Sequence, residues 1–234
     1  MTKIVKFLLA IVAICAITST SLSAQKLGFI AGPSLNNGNI LTADSKASFL
    51  SIPGGGGHAG MMFEYDVNNR WGFDFYVMYE LRTMRWNLDY QGVDTTTIFK
   101  RQVGYFNVPF HFYVNFPLKN DMRLSLFGGP VFTCGLHGTD WAWLDTDTRR
   151  PVTYAQSKIF DKDDGRIVRC EIAAEVGLAL KWNNWQGRIG YQYSFNNSTA
   201  KSYLYTLPMA SKTINYLTQG TLKLSVAYLF DLRK

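Results

Sequence analysis

Residues 71–82, WGFDFYVMYELR, alternate without interruption. Trp71, Phe73, Phe75, Val77, Tyr79 and Leu81 form an apolar or aromatic set. Gly72, Asp74, Tyr76, Met78, Glu80 and Arg82 form a second set, small or polar and carrying three charges. A two-residue period is that of a strand, whose successive side chains point to opposite faces. Soluble strands run about five or six residues, whereas a tilted transmembrane strand needs roughly 9–11. An aromatic-edged apolar face backed by a charged face describes a wall between lipid and an inner space.

The same pattern recurs along the chain. Residues 26–34 set Leu27, Phe29 and Ala31 against Gly28, Ile30 and Gly32. Residues 58–66 set Ala59, Met61, Phe63 and Tyr65 against Gly60, Met62 and Glu64. Residues 103–116 set Phe106, Val108, Phe110, Phe112, Val114 and Phe116 against Tyr105, Asn107, Pro109, His111, Tyr113 and Asn115. Pro109 cannot donate to a ladder, so a bulge is expected there. In residues 122–134, Met122, Leu124, Leu126 and Phe132 oppose mainly Arg123, Ser125, Gly129 and Thr133. Residues 167–182 and 187–195 alternate cleanly, with Arg169, Glu171, Glu175, Lys181, Arg188 and Gln192 on the polar side. Residues 219–230 close the series, with Leu222, Leu224, Val226, Tyr228 and Phe230 opposite Thr221, Lys223, Ser225 and Ala227.

These segments predict an all-β fold: one eight-stranded antiparallel up-and-down transmembrane β-barrel over residues 25–234. The segments between them alternate in length. Residues 67–70, 117–121 and 183–186 are short turns; 35–57, 83–101, 135–166 and 196–218 read as long polar loops. Short periplasmic turns, long extracellular loops and an even strand number are the pattern of outer-membrane barrels. Lipid covers the apolar face, and closure leaves no free edge. Residues 1–24 read as a cleaved signal peptide, with Lys3 and Lys6 before the apolar run 7–17 and small residues at 21–24.

Eight strands leave an interior just wide enough for side chains. The inward set carries Glu64, Asp74, Glu80, Glu171 and Glu175 against Arg82, Arg123, Arg169, Lys181, Arg188 and Lys223, with His111 among them. Near-equal charge predicts a paired plug rather than a pore, since a buried orphan charge is not tolerated. Val77→Arg is expected to block insertion, and Met78→Arg, on the polar face, to be milder.

Composition agrees with this reading. Aromatics make up 15% of the chain, with 20 Gly, 13 Tyr and 16 Phe. The formal charge of +7 includes Lys3 and Lys6 of the leader, and the remaining bases are scattered. Nucleic-acid binding is not indicated.

The segments GFIAGPSLN, YFNVPFHFYVNF, LSLFGGPVFTCG and LKLSVAYLF, in that order, resemble the PorT-like branch of the small, OmpA-like outer membrane β-barrels of Gram-negative bacteria. Lys223, Ser225, Tyr228 and Phe230 resemble the terminal signal read by the barrel-assembly machinery; Ser225 stands where Gly is usual, and four residues follow Phe230. The resemblance implies an integral outer-membrane barrel in contact with outer membrane lipid, and no particular activity.

Candidate chemistry is sparse. No cofactor, metal or catalytic set is expected. An enzyme in this architecture needs a His beside a Ser and an acid near the outer rim. His58 and His137 lie near that rim, and His58 falls opposite Glu80 if Glu64 pairs with Asp74. The run 161–165, DKDDG, starts like a calcium loop, but Ile172 stands where the bidentate Glu belongs. The glycines 54–57 read as a loop tip. Cys134 and Cys170 share outward parity on neighbouring strands, so a cross-strand disulfide and two free lipid-facing thiols are both open. Trp71, Trp182 and Trp185 beside the short turns read as an interfacial belt. Trp141 and Trp143 are either a contact patch for a protein or glycan partner or part of a hairpin extending the barrel.

Three classes of function follow: a monomeric, non-enzymatic barrel whose external loops serve adhesion, surface contact or envelope integrity; a docking subunit of an export or surface assembly; and a secreted lipocalin-like barrel holding an apolar ligand.

Overall fold

Strict alternation carries the chain into long antiparallel strands. The computed structural model describes residues 25–42, 47–90, 96–144, 152–158, 169–196, 203–207 and 210–232. The strands are β1 (Gln25–Thr42), β2 (Ala47–Ile52), β3 (Gly54–Asp66), β4 (Trp71–Tyr90), β5 (Thr97–Pro117), β6 (Met122–Leu144), β7 (Val152–Lys158), β8 (Cys170–Trp182), β9 (Trp185–Ser194), β10 (Tyr203–Leu207) and β11 (Ala210–Asp231). Eight of them form a ring in the order β1-β3-β4-β5-β6-β8-β9-β11, and β11 pairs back onto β1. The other three extend the wall at one end: β2 pairs β4, β7 pairs β6 and β10 pairs β11.

Turn chemistry sets the opposite end. Asn120 and Asp121 have φ of 60° and 57°, and Asn183 has 52°; Asn and Asp accept the left-handed region that tight hairpins need. Asn68 Oδ1 accepts from the backbone N–H of Arg70 and Trp71 at 2.8 and 3.0 Å, fixing the third turn. The start of β1 and the end of β11 meet at this end, with Lys26 paired to Asp231.

The ladder follows the expected facing over the bilayer-length part of each strand. Phe29, Val77, Phe112, Phe132, Ile172, Val176, Ile189 and Leu224 are exposed on the outer wall. Trp71, Trp182 and Trp185 are exposed beside the short turns. Asp74, Glu80, His111, Glu175, Arg188 and Lys223 are buried inside. Such a distribution is the reverse of a water-borne barrel built around an apolar ligand, and charged lumen with apolar exterior suits lipid.

Three local expectations fail. The segments read as loops are largely strand: β4, β5, β6 and β11 run 20, 21, 23 and 22 residues, about twice what a bilayer requires. Gly54–Gly57 is not a loop tip but the start of β3, paired with residues 33–36 of β1. A side chain at Gly54 or Gly56 would strike the carbonyl oxygens of Thr83 and Leu81 at 2.1 Å, so glycine is what permits this close approach. Pro109 needs no bulge: the β5–β6 register is unchanged from Pro109↔Val131 to Phe112↔Gly128, and the shift falls at Gly104/Tyr105 instead.

Candidate functional site

The interior is the chemically dense part of the molecule, and it is layered. Nearest the short turns, Tyr113 donates to Asp66 at 2.6 Å, and Lys181 pairs with Glu64 at 2.9 Å with its ammonium 3.6 Å from the Tyr113 ring centre. Above this lies the tightest cluster. Arg188 Nη1 donates to Asp74 Oδ2 at 2.9 Å; His111 Nδ1 sits 3.1 Å from Asp74 Oδ1 and 3.1 Å from the Tyr76 hydroxyl. The Arg188 guanidinium also lies 4.0 Å over Phe127. An apolar seam of Ile30, Met62, Tyr76, Met78, Ala227 and Leu229 packs beside this cluster.

A second ionic layer follows. Lys223 contacts Glu175 at 2.9 Å, Gln192 at 2.5 Å and Glu80 at 3.7 Å. Glu80 is further held by Arg82 at 2.9 Å and by the Asn107 amide. Glu171 accepts from Ser194 at 3.1 Å and from Gln219 at 3.3 Å. Each buried carboxylate thus meets at least one cation or neutral donor, the condition under which buried charge is tolerated.

Two members of the expected network lie elsewhere. Arg169 is exposed. The β6–β8 pairing ends at Cys134↔Cys170, and Arg169 lies one residue beyond it, joined to Gly135 by the closing backbone bond. Arg123 lies at the rim, 42% exposed and 3.8 Å from Asp66.

Other interior features escaped sequence reading. Beyond the second ionic layer, Met84, Trp86, Leu88, Phe99 and Leu217 form a buried apolar cluster with Ile40 and Phe49 packed against it. Arg101 makes a two-pronged pair with Asp140, both bonds 2.7 Å, 5.7 Å from the Trp86 ring. The signal was present in inverted form. In residues 83–89 alternation continues, but Met84, Trp86 and Leu88 take the inward parity and Thr83, Arg85, Asn87 and Asp89 the outward one. Where water replaces lipid outside the wall, the apolar set turns inward. On β4 this inversion falls between Leu81 and Thr83, while Leu50 of the adjoining β2, opposite Asn87, stays exposed.

The two rim histidines separate. Glu64 pairs with Asp74, and His58 does fall opposite Glu80. His58 Nε2 lies 2.8 Å from Ser225 Oγ, across the Cβ-less Gly32 of β1. The pair is enclosed, with His58 5% exposed, and His58 Nδ1 has no hydrogen-bond partner among the described residues. Arg82, Asn107 and Lys223 all meet Glu80 Oε2, while Oε1, like His58 Nδ1, has no hydrogen-bond partner among the described residues; the imidazole therefore lacks the acid hydrogen bond that a nucleophilic triad requires. His137 is exposed on the outer wall, its Nε2 2.9 Å from the Tyr79 hydroxyl. Within the terminal signal, Lys223 faces the lumen, while Tyr228 and Phe230 pack together with ring centres 4.9 Å apart. Trp141 is partly buried on β6, with Lys100 Nζ 5.4 Å from its ring centre; Trp143 lies on β6 opposite Ile98. The two belong to an extension of the wall, not to a free loop. Residues 1–24 and 159–168, the leader and the calcium-loop mimic, lie outside the described residues.

Cys134 and Cys170 are directly opposed, with sulfurs 2.9 Å apart. Because Gly135 and Arg169 carry the backbone bond, the cysteines occupy the adjacent non-hydrogen-bonded site, where Cα atoms come to about 4.5 Å and side chains are closest. That separation suits a disulfide. Protein extracted without reductant from the oxidising envelope is expected to resist alkylation at both thiols and to take two labels after reduction. Two labels before reduction would show that the pair stays free.

The ring, its apolar exterior and its ionic lumen can be set beside known proteins. Residues 23–200 match the family model described as outer membrane protein beta-barrel domain. The chain belongs to that family. Its place is therefore the outer membrane, with the short turns on the periplasmic side and the extended strands outside; the match does not single out the PorT-like branch. Among solved structures the barrel resembles OprG from Pseudomonas aeruginosa (10% identity, 90% of this chain and 98% of that chain, TM-score 0.40). It also resembles Ail of Yersinia pestis in complex with the heparin analogue sucrose octasulfate (14% identity, 88% and 99%, TM-score 0.38). A third is Neisserial surface protein A (13% identity, 87% and 97%, TM-score 0.36). No curated protein matches this chain.

Proposed function

We propose that this protein is a sealed, monomeric and non-enzymatic outer-membrane barrel that serves surface contact, through a rigid platform standing on the outer face of the membrane. The carrying observation is double closure of the lumen beneath an extended wall. Two ionic layers fill the bilayer-depth interior, and the Met84–Trp86–Leu88–Phe99–Leu217 cluster closes it again above. Strands twice the bilayer length are not needed to anchor a protein. Hydrogen-bonded on either side and braced by β2, β7 and β10, they hold a fixed surface outside the cell.

The reading is tested by reconstitution into planar bilayers. The expected result is no steady conductance, and no uptake of small sugars by liposomes carrying the protein. Stable open channels would replace the platform with a pore. A Trp86→Ala, Phe99→Ala barrel serves as comparison: it should remain closed, since the ionic layers lie beneath the cluster and persist.

A further inference from the structure

The outer face of the platform carries an unbalanced charge. Arg85 on β4 and Lys100 on β5 are direct cross-strand partners, and Lys100 is in turn the partner of Trp141 on β6. Their chain neighbours Met84, Trp86, Phe99, Arg101 and Asp140 are buried, so the row Arg85–Lys100–Trp141 faces outward. Like charges directly opposed on one sheet face are destabilising. Among the described residues neither Arg85 nor Lys100 has a carboxylate partner, and Lys100 is engaged only by the Trp141 ring. Asp89, the acid further along the same face of β4, accepts from Thr96 at 2.7 Å.

The height of the row says what could offset the charge. Leu81 is the last outward apolar residue of β4, and Arg85 follows four residues later. At about 3.3 Å per residue and a tilt near 40°, the row stands roughly 10 Å outside the hydrocarbon. That is the level of headgroups and the first sugars attached to them. Outside a Gram-negative outer membrane those headgroups are phosphorylated saccharides.

We propose that Arg85, Lys100 and Trp141 form a binding site for the phosphorylated saccharide headgroup of the surrounding outer-leaflet glycolipid. The two cations take a phosphate between them, as charge-assisted donors do, and the Trp141 indole offers a flat apolar face to an adjoining sugar ring. The inference rests on the platform reading above and names its ligand. Burial of a phosphate between Arg85 and Lys100 would also remove the cross-strand repulsion, so glycolipid and platform would stabilise each other.

The folded full-length barrel in detergent is titrated with rough lipopolysaccharide, with the same glycolipid after enzymatic dephosphorylation, and with sucrose octasulfate as a soluble polyanion. The phosphorylated glycolipid should bind, more weakly as salt is raised. Arg85→Gln combined with Lys100→Gln should weaken it roughly tenfold, the scale of losing exposed charge contacts, and Lys119→Gln at the opposite end should leave it unchanged. Equal binding of the dephosphorylated form, or an unaffected double variant, overturns the site. Binding of sucrose octasulfate alone overturns the membrane source and points to a free glycan. Retained heat-modifiable gel mobility shows that each variant is folded. Lys100→Cys in a background lacking Cys134 and Cys170, probed on intact cells with a membrane-impermeant maleimide, separates the two readings. Labelling without glycolipid binding by the unsubstituted barrel sinks the site and leaves the platform; no labelling even after the glycolipid is released with chelator sinks both.

Discussion

Arg188→Ala lowers the stability of the folded barrel by about 3–5 kcal/mol, the cost of leaving a buried charge without its partner. Asp74 is 1% exposed and is paired with Arg188 at 2.9 Å; His111 at 3.1 Å and the Tyr76 hydroxyl complete the cluster. Removing the guanidinium also strips Phe127 of the group stacked 4.0 Å over its ring. That ring packs against Gly177 and Gly190, where a Cβ would come within 2.5 and 3.3 Å of the Phe127 Cζ. Urea unfolding in detergent, read by heat-modifiable mobility, gives the number. Asp74→Asn together with Arg188→Met restores much of the loss, because replacing both partners removes the orphan charge. A double variant as unstable as Arg188→Ala alone would mean that packing around Phe127, not charge pairing, holds this layer.

How far such a layer can be read from sequence depends on what lies outside the wall. In β8 and β9 the parity of Glu171, Glu175, Lys181, Arg188 and Gln192 was legible because lipid forces every alternate residue to be apolar. Arg169 shows the limit: parity continues past the last ladder pair, but burial does not. The extracellular extensions were illegible for the opposite reason. With water outside, Thr83, Arg85, Asn87 and Asp89 look like a polar loop, and the inward Met84, Trp86 and Leu88 mirror the pattern below. Arg101 and Asp140 were lost with them, since each sits in a segment read as connection and their register exists only once β5 and β6 are extended. Pairings that depend on register, such as His58 over Gly32 to Ser225, lay further out of reach. A one-residue slip would put each of these side chains on the other face.

Val77→Arg should cost about 2–4 kcal/mol and Leu81→Arg only about 0–1, because charge on the lipid face is penalised by depth. Val77 is 40% exposed on the outer wall, midway between Trp71 at the short-turn end and Leu81, the last apolar outward residue. The neighbouring Met78→Arg, expected to be mild on parity alone, acquires a different meaning. Met78 is 1% exposed in the apolar seam with Ile30, Met62, Tyr76, Ala227 and Leu229. An arginine there finds no carboxylate within the seam, so its cost should match or exceed that of Val77→Arg. The two defects differ in kind. The Val77 penalty arises from hydrocarbon and should shrink in thin-bilayer vesicles, where the charge reaches the headgroups; the Met78 penalty arises from protein packing and should be indifferent to bilayer thickness. Folding yields into vesicles of two acyl-chain lengths read both. Should Leu81→Arg prove as costly as Val77→Arg, the hydrocarbon must extend beyond Leu81. The polarity inversion between Leu81 and Thr83 would then lie inside the membrane, and the Arg85–Lys100 row would fall within reach of acyl chains instead of headgroups.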